Sequence, residues 1–355
     1  GTRHANLQII YAAKAFLNKA LARILMEEGL GLDIVSAGEL AIAQAAEFPM
    51  SKLYFHGNNK GRAELEMALG VGVGRVVLDN FYEISLLEEV ASNRGIIQEV
   101  LIRVSPGVDP HTHQHTTTGI LDSKFGFPIE TGQAEEAIAK VVASPSINLV
   151  GVHFHLGSPI YEVEPYGEAI KVTFDWLAGV IKRHPFQFKE FSPGGGFPIQ
   201  YTLDTPAPPL GEYADTICRS MNESCKSNNI PTPRLVIEPG RSIVGRAGVA
   251  LYSIGARKDI PGVRSYVSID GGMSDNIRPA IYGSKYEAVI ANKLTTEKAQ
   301  EVTLAGKFCE SGDLLIRDIE LPELEPADVV AVPASGAYCL SMASNYNASL
   351  HPPIL

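Results

Sequence analysis

Residues that could take part in chemistry stand at the ends of several short apolar runs. Lys14 lies in the apolar stretch 11–16, which predicts a buried lysine whose uncharged amine can form a Schiff base with an aldehyde. Three glycines, Gly194–Gly196, let backbone N–H groups approach a phosphate without side-chain clash. Glu238 could keep a pyridinium nitrogen protonated, and an imidazole from a strand end could stack on the ring. Each residue alone has an ordinary structural explanation, but together they describe a site for pyridoxal phosphate.

Eight short β-branched or apolar runs would position these residues. They are Gln8–Ala15, Leu32–Ala37, Lys52–Gly57, Arg75–Asn80, Glu99–Ser105, Ile147–Leu156, Glu190–Gly196 and Arg234–Gly240. Helical patterns lie between most of them, and strands that alternate with helices form right-handed βαβ units with a parallel sheet. Eight such units predict a (β/α)8 barrel, an α/β fold whose active-site residues gather at the carboxyl ends of the strands.

The pattern changes after Gly245. Five runs read as strands with little helix between them: Gly248–Ala256, Ser265–Asp270, Tyr286–Asn292, Glu301–Lys307 and Asp328–Pro333. We therefore expect two domains, a barrel over residues 1–245 and a smaller, mostly antiparallel β domain over residues 246–355.

Composition limits the class of protein. The formal net charge of −10 argues against a nucleic-acid partner. No apolar run approaches the roughly 18 residues of a membrane span. The four cysteines form no C-x-x-C pair or dense disulfide pattern, so we expect a reduced, cytoplasmic protein. The run His111-Thr-His113-Gln-His115 lacks a matching carboxylate or cysteine pair, and no metal site is expected there.

The order and spacing of the motifs resemble those of the fold-type III pyridoxal phosphate (PLP) decarboxylases, which have an alanine racemase-like barrel. The likeness extends from Tyr11 to about Asn347. Its motifs are Tyr11-Ala-Ala-Lys14-Ala, Gly31-Leu-Asp-Ile-Val-Ser-Ala-Gly-Glu39, His56-Gly-Asn-Asn-Lys60, Asp122-Ser-Lys-Phe-Gly126, His153-Phe-His155-Leu-Gly-Ser158, Gly194-Gly-Gly-Phe197, Glu238-Pro-Gly-Arg241, Asp270-Gly-Gly-Met-Ser-Asp275, Cys309-Glu-Ser-Gly-Asp313 and Gly336-Ala-Tyr338.

The resemblance implies a role for each matching residue. Lys14, His155, Glu238 and Cys309 would be catalytic, with Lys14 bonded to PLP, His155 stacked on the ring, Glu238 paired with the pyridine nitrogen and Cys309 the acid that reprotonates the α-carbon. The other cofactor-binding residues would be Asp33, Arg103, Ser158, Gly194, Gly195, Gly196 and Tyr338. The substrate-binding residues would be Arg241, Arg278, Tyr282, Glu310 and Tyr338. Cys309 and Glu310 would enter from the partner subunit of a head-to-tail homodimer, with Glu310 beside the substrate's distal ammonium. His153 is interpreted as structural support, deeper in the barrel than His155.

The resemblance also implies an activity, the decarboxylation of meso-2,6-diaminopimelate to L-lysine and CO2. Other substrates stay open: ornithine, arginine, carboxynorspermidine or a carrier-bound amino acid. Arg278 and Arg241 favour a substrate with a distal carboxylate, since a guanidinium fork suits a carboxylate. A non-catalytic PLP-binding homologue is a further alternative. The presence of both Lys14 and Cys309 disfavours it, and the motif around Cys309 disfavours a racemase.

Two features depart from the family pattern. Pro159 stands where family members usually have glutamine, so one polar contact near the cofactor or substrate is in doubt. About a strand's worth of sequence is missing before the barrel, and the chain stops soon after Asn347. We expect that both ends are trimmed.

Overall fold

A computed structural model describes residues 4–110, 118–119 and 121–355. The chain divides into two compact units: Gly1–Pro198 with Pro208–Gly240, and Ile199–Ala207 with Arg241–Leu355. The sequence boundary was expected at residue 245, and this division instead assigns residues 241–245 and the short segment 199–207 to the second unit. Within the described ranges, no helix has the length and apolar character to cross a membrane.

The described residues of the first unit form nine strands. They are β1 (Leu7–Ala12), β2 (Gly31–Ile34), β3 (Leu53–Phe55), β4 (Arg75–Leu78), β5 (Gln98–Ser105), β6 (Phe127–Pro128), β7 (Ile147–His153), β8 (Glu190–Ser192) and β9 (Arg234–Ile237). All strands except β6 pair in parallel around a ring in the order β1-β2-β3-β4-β5-β7-β8-β9, and β9 returns to β1. The short β6 pairs with β5. This ring confirms the predicted eight-stranded barrel.

In the described part of this unit, seven α-helices connect the barrel strands. They are α1 (Lys19–Glu27), α2 (Ala37–Ala45), α3 (Arg62–Val71), α4 (Phe81–Arg94), α5 (Gln133–Ala143), α6 (Glu164–Arg183) and α7 (Leu210–Asn228). Side chains cap several of them: Asn18, Ser36 and Asn80 each accept a backbone N–H at the start of α1, α2 and α4. Six residues from different strands form one buried cluster of the barrel: Ile10, Tyr54, Val77, Leu101, Val150 and Val236.

The second unit is a six-stranded sheet with two short helices. Its elements are α8 (Arg241–Val244), β10 (Ala250–Ile260), β11 (Arg264–Ile269), α9 (Arg278–Tyr282), β12 (Val289–Ile290), β13 (Gln300–Ala305), β14 (Leu314–Leu321) and β15 (Val329–Val332). The strand order is β12-β15-β10-β11-β13-β14, and every pairing except β11–β13 is antiparallel. The expected, mostly antiparallel sheet is therefore present, with β14 as a strand that the sequence did not predict.

Candidate active site

Lys14 lies on a single 3-10 turn, Ala13–Ala15, immediately after β1. The expectation that this lysine is buried is wrong: its side chain is exposed, although Ala13 and Ala15 are buried. The turn lies beyond the end of the strand, so the burial of its chain neighbours does not extend to Lys14. The charge of its amine nevertheless lowers the pKa of the Asp33 carboxyl and of the His155 imidazole.

Two buried carboxyl groups, those of Asp33 and Glu238, lie close to the imidazole of His56. The Nε2 atom of His56 is 3.7 Å from Oδ1 of Asp33 and 3.6 Å from Oε1 of Glu238. Burial raises the pKa of the Asp33 carboxyl well above its ordinary value, and the charge of Glu238 raises it further, whereas Lys14 opposes both effects. Burial also lowers the pKa of the His56 imidazole. The arrangement favours a neutral Asp33 beside a charged Glu238.

Glu238 follows β9 and has a separate hydrogen-bond partner for each carboxylate oxygen. Ser192 donates from Oγ to Oε1 at 2.7 Å, and Nε2 of His153 lies 3.1 Å from Oε2. Burial alone would raise the pKa of Glu238, but its interactions with His153, His56 and Ser192 outweigh burial and hold that pKa well below the ordinary value. Glu238 is therefore a fixed, ionised acceptor at the carboxyl end of the barrel.

The imidazole of His155 lies two residues beyond β7 and is half-buried. Its Nδ1 atom is 3.4 Å from the backbone nitrogen of Gly195, which donates to it. Burial lowers the pKa of His155 well below its ordinary value, and the charges of Lys14 and Arg103 lower it further. A neutral ring that accepts at Nδ1 presents its proton on Nε2.

Arg103 is a buried cation inside β5. Its Nη1 lies 3.7 Å from Oδ2 of Asp79, and its guanidinium carbon lies 4.4 Å from the centre of the Phe125 ring. Asp79 also accepts from the backbone nitrogen of Gly126 at 2.8 Å. Burial lowers the pKa of Arg103, but the surrounding carboxylates Asp79, Glu238 and Asp33 oppose the shift. The guanidinium thus supplies positive charge among the acidic side chains of the barrel.

The glycine run after β8 is enclosed by backbone on several sides. A Cβ atom added to Gly195 would lie 2.0 Å from the carbonyl oxygen of Glu238, and one added to Gly196 would lie 2.4 Å from that of Gly157. The hydroxyl of Tyr166 donates to the Gly195 carbonyl at 2.6 Å. The backbone nitrogen of Ile160 donates to the Gly196 carbonyl at 2.9 Å. Only glycine fits here, and the second bond ties the run to the loop that contains Ser158.

In the second unit, the two predicted arginines lie among tyrosine rings. Arg278 is buried at the start of α9, with Nε 2.9 Å from the hydroxyl of Tyr286. Arg241 donates to the hydroxyl of Tyr201 at 2.5 Å, and its guanidinium carbon is 4.7 Å from the centre of the Tyr338 ring. The Arg278 guanidinium lies 5.5 Å from the Tyr201 ring and 5.7 Å from the rings of Tyr282 and Tyr338. Four predicted residues of this unit therefore form one cluster of cations and aromatic rings.

Cys309 and Glu310 lie on the exposed loop between β13 and β14. The backbone nitrogen of Cys309 donates to Oδ1 of Asn347 at 3.0 Å, and the hydroxyl of Tyr346 donates to its carbonyl at 3.3 Å. On the other side, Oδ2 of Asp313 accepts from the backbone nitrogen of Phe308 at 3.0 Å. The loop is thus held at both ends, with the thiol of Cys309 exposed and free.

Comparison with known proteins identifies the family. The family model described as "Pyridoxal-dependent decarboxylase, pyridoxal binding domain" matches residues 2–245. The diaminopimelate decarboxylase of Bacillus subtilis is 47% identical over 348 residues, which are 98% of this chain and 79% of that protein. This chain belongs to the pyridoxal-dependent decarboxylases.

Solved structures of the same family agree with this assignment. A diaminopimelate decarboxylase from M. jannaschii in complex with L-lysine superposes with a TM-score of 0.91 at 35% identity, covering 98% of this chain and 79% of that one. The diaminopimelate decarboxylase of Helicobacter pylori complexed with L-lysine gives a TM-score of 0.89 at 30% identity, with coverages of 98% and 84%. The family is therefore supported by both sequence and fold.

The barrel residues fit the cofactor of a pyridoxal-dependent decarboxylase. The glycine run has no side chains to cover its backbone N–H groups, as a phosphate-binding loop requires. Oδ1 of Asp33 and Nε2 of His56 are buried without a hydrogen-bond partner among the described residues, so polar groups face the site. The ionised Glu238 is a suitable acceptor for a pyridinium N–H.

The sequence did not assign a role to several residues of this pyridoxal-binding barrel. His153 was interpreted only as structural support, His56 was part of a motif without an assigned role, and Ser192 and Tyr166 were not identified. The available signal for Ser192 was a polar residue at the end of a buried strand, two residues before the glycine run. The ligand atoms of His56, His153 and Glu238 lie within 4.8 Å of one another, which is also metal-ligand spacing. Since His153 already hydrogen-bonds Glu238, we interpret the cluster as a proton-linked network. The run 111–115 lies outside the described residues.

Proposed function

We propose that this chain decarboxylates meso-2,6-diaminopimelate at its D centre, with pyridoxal phosphate as cofactor, and releases L-lysine and CO2. Family membership supports the cofactor and the reaction type. The relatives described above are named for this substrate, and two of the solved structures contain its product, L-lysine. Diaminopimelate has a carboxylate and an ammonium at the end distal to the reacting carbon, so residues of this chain must bind both groups.

Arg278 is the observation on which the substrate assignment rests. Its side chain is 6% exposed, and its guanidinium donates to two hydroxyls, those of Tyr286 and Ser284 at 2.9 and 3.2 Å. No salt bridge joins Arg278 to a carboxylate within the described part of the chain. A buried cation without an anion is costly, so the site favours a ligand that supplies one. The distal carboxylate of diaminopimelate supplies that anion, whereas ornithine and lysine end in a bare ammonium.

The cofactor would be held by barrel residues. The amine of Lys14 would attach it covalently, and Ser158 with the glycine run 194–196 would bind its phosphate. Glu238 would accept the pyridinium N–H, and His155 would lie against the ring, with Asp33 and Arg103 around it. Tyr338, from the second unit, is proposed to contribute to phosphate and substrate binding.

Decarboxylation breaks one carbon–carbon bond and forms one carbon–hydrogen bond. When bound, pyridoxal phosphate supplies an electron sink for the pair left at the α-carbon as CO2 departs. The Cys309 thiol then gives its proton to that carbon and is reprotonated from solvent. Arg241, Arg278 and Tyr282 would bind the substrate, with Glu310 pairing with its distal ammonium. The distal L centre takes no part, so the product is L-lysine.

We further propose that the active form is a homodimer with shared sites, in which Cys309 and Glu310 serve the site of the partner subunit. The exposed loop between β13 and β14 is suited to this role, because its ends are fixed by Asn347, Tyr346 and Asp313 while the thiol remains accessible.

A substrate panel tests the proposal. PLP-loaded protein is incubated with meso-diaminopimelate, its L,L isomer, lysine, ornithine, arginine and carboxynorspermidine, and both CO2 and products are measured. We expect equal amounts of CO2 and L-lysine from the meso isomer and rates lower by orders of magnitude for the others. Borohydride reduction should fix the cofactor to the peptide that contains Lys14, and Lys14→Ala should release no CO2. A preference for ornithine or lysine would overturn the substrate assignment, and labelling of a different lysine would overturn the cofactor site.

A further inference from the structure

Ser192 and His153 hold the carboxylate of Glu238 from two neighbouring barrel strands. Ser192 is the last residue of β8 and His153 the last of β7, and the strand register pairs the two directly. Their side chains meet the two different oxygens of Glu238, at 2.7 and 3.1 Å. The three residues are 0%, 1% and 6% exposed for Ser192, His153 and Glu238. Water therefore has little access to these bonds.

The tautomer of His153 follows from this geometry. A carboxylate only accepts hydrogen bonds, so the Nε2 atom of His153 must be the donor. Its Nδ1 atom is buried and has no hydrogen-bond partner among the described residues. A second proton on Nδ1 would be a buried, unsatisfied donor, which is costly. Nε2 therefore carries the proton that His153 donates to Glu238.

Ser192 joins Glu238 to the glycine run. While its hydroxyl donates to Glu238, its Oγ accepts from the backbone nitrogen of Gly194 at 3.1 Å. The backbone nitrogen of Glu238 in turn donates to the Gly194 carbonyl at 3.1 Å. One serine therefore fixes the position of the carboxylate relative to the loop proposed to bind the phosphate.

Asp33 illustrates what happens to a carboxyl group in the same barrel without such partners. Its Oδ1 is buried without a hydrogen bond among the described residues, and burial raises its pKa. Glu238 is equally buried, but the charges of His153 and His56, together with its hydrogen bonds to His153 and Ser192, outweigh burial and lower its pKa. Both acids are desolvated, so the difference between them lies in the neighbouring charges and in the hydrogen bonds that Glu238 accepts.

We propose that His153 and Ser192 are positioning residues that keep Glu238 ionised and aimed at the ring nitrogen of the cofactor. This inference rests on the proposed function, because it requires a pyridine nitrogen opposite Glu238. Neither residue would touch the substrate. Their effect on catalysis would pass through the protonation of the ring nitrogen.

The test measures that protonation directly. Wild type and variants are loaded with pyridoxal phosphate labelled with 15N in the ring, and the nitrogen chemical shift is recorded with the absorbance spectrum and kcat. His153→Leu and Ser192→Ala should move the shift toward the unprotonated value and lower kcat by about 10- to 100-fold, the effect of losing one hydrogen bond to a charged group. His153→Gln retains an N–H donor at a similar reach and should restore much of both signals.

Matched controls separate positioning from general disturbance. Ser146→Ala removes another buried serine, immediately before the opposite end of β7, and should leave the 15N shift and kcat unchanged. Normal cofactor binding with an unchanged 15N shift in both His153→Leu and Ser192→Ala would overturn this inference and leave the proposed function intact. Failure of the wild type to bind the cofactor would instead overturn the proposed function, and this inference with it.

Discussion

Lys60 and Glu83 form an ion pair that is almost completely buried, with Nζ 2.5 Å from Oε1 and both side chains 1% exposed. Lys60 also donates to the carbonyls of Gly57 and Val77, at 2.7 and 2.8 Å. Through these two hydrogen bonds and the ion pair, the ammonium joins the segment after β3 to strand β4 and helix α4. This pair lies outside the residues proposed to bind cofactor or substrate, so its contribution is to stability.

Lys60→Met should destabilise the fold strongly, because it leaves the carboxyl of Glu83 buried without its partner. We expect the free energy of unfolding to fall by about 3–5 kcal/mol at pH 8, measured by urea denaturation followed by circular dichroism. The double variant Lys60→Met/Glu83→Leu should recover most of this loss, because apolar side chains can replace a buried pair at little cost. A single variant as stable as the double one would show that the pair is not coupled.

The same pair predicts a pH dependence of stability. Burial raises the pKa of the Glu83 carboxyl from 4.5 to about 7, although Lys60 opposes the shift. The folded protein therefore binds this proton more tightly than the unfolded chain does. This contribution to the free energy of unfolding is fully present below pH 4.5 and is lost as the pH rises through about 7. Urea denaturation at a series of pH values should show the wild type losing stability relative to the double variant across this range; a constant difference would contradict the assignment.

Arg278→Ala should reduce activity on diaminopimelate without weakening cofactor binding. Loss of roughly 3 kcal/mol of the arginine–carboxylate interaction corresponds to a decrease of about 10²-fold in kcat/KM. The ratio of diaminopimelate to lysine turnover should fall, and the visible absorbance of the bound cofactor should stay unchanged. The control is Arg317→Ala, which removes an exposed arginine from β14 and should leave activity on diaminopimelate unchanged. A less stable variant with an unchanged substrate ratio would mean that Arg278 only braces the second unit.

Mixing two inactive variants tests the shared site. Lys14→Ala lacks the cofactor attachment and Cys309→Ala lacks the proton donor, so each homodimer should be inactive. A hybrid dimer has one complete site if Cys309 serves the partner subunit. Mixing equal amounts should restore up to about a quarter of wild-type activity, because half the dimers are hybrids with one working site each. No recovery, with subunit exchange verified by mass spectrometry, would contradict the shared site.

The barrel could be predicted from sequence because most of its eight strands contain short runs of buried apolar residues, as expected for a parallel sheet covered on both faces. Strand β14 was missed because three exposed charged residues interrupt its apolar pattern: Arg317, Asp318 and Glu320. The burial of Lys14 was predicted wrongly, because neighbouring alanines say little about a side chain on a turn.

The network around Glu238 could not have been predicted from spacing. Ser192 and His153 are 46 and 85 residues away from Glu238 along the chain, and they meet it only through the register of β7, β8 and β9. The resemblance to the decarboxylases named the residues proposed to touch the cofactor. It did not reveal the hydrogen bonds that support them.

The pairing of β1 with β9 affects how the protein folds during its synthesis on the ribosome. Leu7 lies opposite Leu235, so the first strand of the ring acquires its second neighbour only after more than two hundred further residues have left the ribosome. Until then β1 exposes an unpaired edge, the kind of surface on which nascent chains associate with one another. Contacts between such distant segments also slow folding. The turn that contains Lys14 and the segment that contains Glu238 therefore come together late. The barrel cannot close until β9 has been synthesised.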